Sequence, residues 1–170
     1  MKKFFTARLA AGLPILLALI AQSALAQQGP QGPFANVSAA AVCTVTTTTT
    51  GTDVLVNALL VQKQKPGPGT YEVPRVTYSL EQKIPGNPKF QEVGGSRVIE
   101  NLGLSIPEVA AGQSVEVDSH LYENVCTNLR IDPRANAVRA VVEITVSNAN
   151  PHRGLDHTGR CLSFPNPCKR

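Results

Sequence analysis

The chain has no tryptophan, five phenylalanines, three tyrosines and a single methionine at its first position. So few large rings exclude a core built around stacked aromatics, so Val, Leu, Ile and Ala must supply the buried area. The missing methionines remove the thioether ligands that periplasmic Cu(I) carriers use. Charge is also scarce. Three of the sixteen Lys and Arg (Lys2, Lys3, Arg8) lie in the first 26 residues, and beyond them thirteen cations face twelve acids, a net of +1. Such a balance argues against nucleic acid as a partner, because that binding relies on clustered cations. Downstream of residue 26 no apolar run is long enough for a transmembrane anchor. No Cys-x2-Cys, G-x-S-x-G, H-E-x-x-H or phosphate-cradling glycine loop occurs. Glu72, Glu81, Glu92, Glu100 and Glu108 are spread singly, with no paired carboxylates. We therefore expect no catalytic residue, no cofactor and no metal, and a protein that is not an enzyme.

What is present begins with an address. Lys2, Lys3 and Arg8 form a positive start, Leu9 to Ala21 an apolar run, and Ala24-Leu25-Ala26 a small-x-small cleavage signal. The expectation is a bacterial signal peptide over 1–26 and a mature chain beginning at Gln27, in the periplasm or secreted. Gln27 is not a cysteine, which excludes a lipoprotein anchor. Cys43, Cys126, Cys161 and Cys168 are even in number, and in an exported chain they read as two disulfides. Three pairings exist. The short Leu-Ser-Phe-Pro-Asn-Pro loop favours Cys161–Cys168, which leaves Cys43–Cys126 as a long staple.

Residues 27–40 carry paired Gly-Pro steps without periodicity and read as a flexible leader. From Ala41 the chain becomes β-branched, with Val42, Val45 and a threonine run. Asp53 to Lys63 is strongly apolar, and its valines and flanking Gly51 and Pro66 favour a buried strand over a helix. Lys65-Pro-Gly-Pro-Gly69 is a loop. Val76, Tyr78 and Leu80 alternate with Thr77, Ser79 and Glu81, and Ile84-Pro-Gly-Asn-Pro88 closes that strand with a turn. Arg97 to Leu102 and Leu104 to Val109 are weaker strands, Gly94-Gly95 a turn or bulge, and Ser114 to Asp118 a short strand with Val115 and Val117 inward. The clearest alternation is late: Val138, Ala140, Val142, Ile144 and Val146 share one face, with Arg139, Glu143, Thr145 and Ser147 on the other. The pattern predicts a single all-β domain, an antiparallel β-sandwich over 41–148, followed by an irregular, disulfide-pinned tail over 149–170.

Leu104-Ser-Ile-Pro-Glu-Val-Ala-Ala-Gly-Gln-Ser-Val-Glu-Val117, with the strand ending Ile144-Thr-Val-Ser-Asn148, resembles the second half of bacterial immunoglobulin-like modules of the cell-adhesion-related type. The likeness implies an immunoglobulin-like sandwich with an adhesive or scaffolding role. The cysteines and the tail depart from that pattern.

The histidines give weak chemistry. His120 follows Asp118 and Ser119, but strand neighbours point to opposite faces, so adjacency assembles no triad and an exposed strand end is expected. His152, Asp156 and His157 fit no ligand spacing on a Gly-broken loop. Arg153, Arg160, Lys169 and Arg170 make the tail basic, which suits solvent or, more sharply, an anionic surface such as lipid headgroups or lipopolysaccharide. The expected function is non-enzymatic binding of a protein or cell-envelope component through loops or an edge strand, with oligomeric state open. A pilus-type subunit is the structural alternative, although the Gly/Pro-rich leader suits strand donation poorly. A periplasmic hydrolase or metal-dependent enzyme is the third.

Overall fold

A computed structural model describes residues 37–63, 71–106, 111–147 and 154–169. The signal-peptide assignment and His152, Arg153 and Arg170 lie outside them. Within the described residues the chain is almost entirely antiparallel strand. The order is β1 (Val37–Thr47), β2 (Thr52–Gln62), β3 (Tyr71–Lys83), β4 (Gln91–Ile106), β5 (Ser114–Tyr122), a single helical turn α1 (Val125–Asn128), β6 (Ala137–Ser147), β7 (Leu155–Arg160) and β8 (Phe164–Pro165). One sheet runs β1-β2-β5. The other runs β4-β3-β6-β7, with β8 also pairing β6.

Period-two patterning packs the two sheets together. Thr52, Val54, Val56, Ala58, Leu60 and Gln62 of β2 are all buried, and the residues between them are only partly covered. Val138, Ala140, Val142, Ile144 and Val146 of β6 are fully buried, facing the core as their alternation predicts. Tyr71 and Tyr78 are the largest fully buried side chains, and with buried Tyr122 they anchor a mainly aliphatic core. Buried Gln62 accepts the Tyr71 hydroxyl at 3.1 Å, as a polar group in a dry core requires.

The structure corrects three sequence expectations. Strand pairing begins at Val37, inside the stretch read as leader, where Val37 to Ala40 pair with Gln62 to Leu59. The tail is not irregular throughout: β7 pairs with Val141 to Val146 of β6. As an edge strand, β7 has four of its six positions exposed and shows no apolar alternation. The disulfides are Cys43–Cys161 and Cys126–Cys168, not Cys161–Cys168 and Cys43–Cys126. β7 runs beside β1 and delivers Cys161 to Cys43 with Cα atoms 5.8 Å apart, whereas β8 draws the following chain towards the start of β6 and α1. Two disulfides fit a non-cytoplasmic protein. Among the described residues no helix is long and apolar enough to cross a membrane.

Candidate functional site

One concave surface lies where loops leave the end of β3, precede the start of β6 and meet the tail. A depression there has a volume of about 760 Å³ and is lined by residues from three segments: Pro85 after β3, Cys126 to Asn136 between β5 and β6, and Cys168–Lys169 of the tail. None of these segments is regular strand, so local polar bonds must fix them. The Asp132 N–H donates to Gln82 Oε1 at 2.8 Å, and the Asn136 N–H to the Lys83 carbonyl at 2.8 Å. Asn166 clamps the tail from both ends of its amide. Its Nδ2 donates to the carbonyls of Asp132 (2.9 Å) and Ala135 (3.1 Å), and its Oδ1 accepts the Cys168 N–H at 2.9 Å. Cys126–Cys168 then locks the tail to α1.

The floor is apolar, with Ile131 only 3% exposed, and Pro85 and Pro133 beside it. The rim carries Arg134 and Lys169. Arg134 is held against Asp132, Nη2 to Oδ2 at 2.8 Å and Nε to Oδ1 at 3.1 Å. Those bonds hold the Asp132 carboxyl below its ordinary range. Asp132 matches the Arg134 charge, so the buried apolar floor with its polar rim is suited chiefly to holding an apolar side chain, with Lys169 as the rim cation beside it. Sequence reading nominated Lys169 as a tail cation but missed Ile131, Arg134 and Asn166. Asp132-Pro-Arg-Ala-Asn136 is a recognisable turn, yet nothing in it says that the tail folds back onto it.

A second depression, of about 300 Å³, lies at a break in the other sheet. Pro74 has no N–H to give a neighbouring strand, and around it β3 slips register against both β4 and β6. Arg75 sits there, its Nε donating to Thr145 Oγ1 at 3.2 Å and its Nη2 reaching Asp156 at 3.4 Å. Thr145 in turn donates to Asp156 Oδ1 at 2.6 Å. Glu100, Asn101 and Gly154 complete its walls. The guanidinium and its carboxylate neutralise one another, which makes this a cross-strand clasp.

The histidines do not form a catalytic set. Ser119 pairs with outward-facing Asn57, away from Asp118 and His120. The Asp118 carboxylate accepts the Tyr78 hydroxyl across the sheets at 2.8 Å. His120 is half-buried, not an exposed strand end, and its ring meets Tyr122 edge-on at 4.6 Å. Burial, then the nearby Arg97, lowers the His120 pKa against the pull of Asp118. Burial raises the Tyr78 pKa, with Asp118 adding to it. The group is a polar tie between sheets. His157 lies on β7 opposite Ile144, and among the described residues no three His, Cys, Asp or Glu side chains gather as metal ligands.

No family model matches the chain, and no curated protein matches it. Among solved structures, the chain is similar to one titled X-ray structure of Northeast Structural Genomics Consortium target SoR45. The match has 4% identity and a TM-score of 0.39, and covers 78% of this chain and 87% of that one. A likeness at that level identifies neither a fold family nor a function.

Proposed function

We propose that this is an exported, non-enzymatic binding module that engages a protein or cell-envelope component through the loop groove at the end of its sheets. The observation that carries the reading is the groove itself. Three irregular segments are held in place by Asn166 and by Cys126–Cys168 around an open apolar floor. Ordering loops costs conformational entropy, and rigid loops on a sheet scaffold are where recognition surfaces concentrate. The signal-like leader and the two disulfides support export to the periplasm or beyond. The immunoglobulin-like type rests on the resemblance of residues 104–117 and 144–148, and fits an adhesive or scaffolding role.

The test compares the oxidised chain with Thr127→Arg and Lys169→Glu variants as bait in its own envelope extract. Both positions line the groove, and neither side chain contributes to the core. The reading predicts one component retained by the native chain and depleted about tenfold or more by either substitution, the loss expected when an interface contact is spoiled. Retention of that component by all three baits alike would refute the groove as the binding surface.

A further inference from the structure

The ring of His157 holds a buried nitrogen that nothing in the fold answers. His157 lies opposite Ile144 of β6, and residues directly opposite in an antiparallel pair point to the same face. Ile144 is fully buried, so the His157 side chain turns inward while its neighbours Asp156 and Thr158 stay exposed. Gly159 shares that inward face, and a Cβ there would come within 2.6 Å of Ala39 and Ala40 backbone atoms. This side of β7 therefore lies against β1. His157 Nε2 is buried and has no hydrogen-bond partner. In the neutral ring this nitrogen can be the unprotonated one, an acceptor left idle. In the imidazolium both nitrogens carry protons, and a buried charged donor without an acceptor is costly.

The surrounding elements give that charge no relief. β1 has no charged side chain. The β6 residues on the Ile144 face are Val138, Ala140, Val142 and Val146, all buried and aliphatic, whereas Arg139 and Glu143 alternate with them on the outward face. Lys63, just beyond β2, opposes a second positive charge. On β7 itself Arg160 is exposed, and Asp156 is the one attractive group. Its carboxylate is already engaged by Thr145 and Arg75. Burial, then Lys63, lowers the His157 pKa against the pull of Asp156.

We infer that β7 is an acid-released flap: a proton on His157 lifts Leu155–Thr158 away from β1 and from the edge of β6, about a hinge at the Cys43–Cys161 disulfide. The geometry selects β7 as the part that moves. It is six residues long and bonded along one side, whereas β1 pairs with β2 over eleven positions and β6 lies between two neighbours. Cys161 follows β7 directly, is tied to Cys43, and gives its N–H to the Ala140 carbonyl at 3.1 Å. The strand is thus fixed at its end and can swing from its start. The Arg75–Asp156 clasp resists, but an ion pair that exposed contributes little. Release uncovers the backbone of β6 along Val141 to Val146, which β7 pairs when closed. A covered strand becomes an open edge in acid. The flap is separate from the loop groove and does not depend on the function proposed for it.

Amide hydrogen exchange of the oxidised chain, corrected for the intrinsic effect of pH on exchange, tests the inference alongside His157→Gln. Between about pH 7.5 and about pH 5, protection of the amides joining β7 to β6 should fall about tenfold or more, the gain when an ordinary histidine of pKa about 6.5 titrates only in the open form. Amides joining β3 to β6 should keep their protection. His157→Gln stays neutral at both values and should abolish the difference. Equal protection of the β7 amides at both pH values in the native chain would overturn the inference. So would a loss shared by the β3–β6 amides, or one that persists in His157→Gln. The native profile decides by itself if that variant does not fold.

Discussion

Individual residues carry most of what is distinctive here, because the strands themselves are ordinary. Tyr78 and Asp118 tie the sheets with one hydrogen bond, and Asn166 fixes a tail that has little apolar content of its own. His120 and His157 illustrate how position sets chemistry. Burial lowers both pKa values. Arg97 adds to the effect at His120 against Asp118, and Lys63 adds to it at His157 against Asp156. A lowered histidine pKa means that the folded chain resists a proton the unfolded chain accepts below about pH 6.5. Stability is therefore level above that value and declines as pH falls beneath it. The midpoint of urea unfolding should drop between about pH 7 and about pH 5.5, and His157→Gln should flatten that drop. A midpoint unchanged over that interval in the native chain would contradict the assignment.

Elements were legible to the extent that they alternate. β6 was readable residue by residue, because it lies at the centre of its sheet with one face dry. β3 was equally clear apart from Pro74, whose missing donor opens a register slip that alternation cannot announce. β4 read as two weak strands and a turn. It is one long edge strand whose Gly94 and Gly95 take positive φ, and such bulges blunt an exposed edge. β7 was invisible for a different reason. Leu-Asp-His-Thr-Gly-Arg has no apolar alternation, and its place in the sheet is set by pairing with β6 and by Gly159 against β1. Gly159→Ala should therefore cost about 1–3 kcal/mol, the range for overpacking a close contact, and lower the thermal midpoint measurably. A midpoint within experimental error of the native chain would mean that β7 does not lie against β1 as described.

At the scale of the whole molecule, composition and periodicity were enough for an all-β chain of two packed antiparallel sheets, and for two disulfides. Connectivity was not. Short sequence separation favoured Cys161–Cys168 because loop closure is easiest there. Folding overrides that preference by drawing Cys161 and Cys168 to different neighbours, across separations of 118 and 42 residues. The loop groove was equally hidden, since its walls come from three segments that are adjacent only once the tail has folded back. Each disulfide borders a concave surface: Cys43–Cys161 lines a small hollow beside β1, and Cys126–Cys168 walls the groove.

Tryptic mapping of the oxidised, unreduced chain tests that arrangement most directly. Cleavage after Arg160 and Lys169 releases one peptide, 161–169, that contains both Cys161 and Cys168. The structure predicts that this peptide leaves the column joined covalently to both the peptide holding Cys43 and the peptide holding Cys126, with a further cut after Leu162 assigning Cys161 to Cys43. Recovery of 161–169 alone, closed on its own disulfide or carrying free thiols, would contradict it.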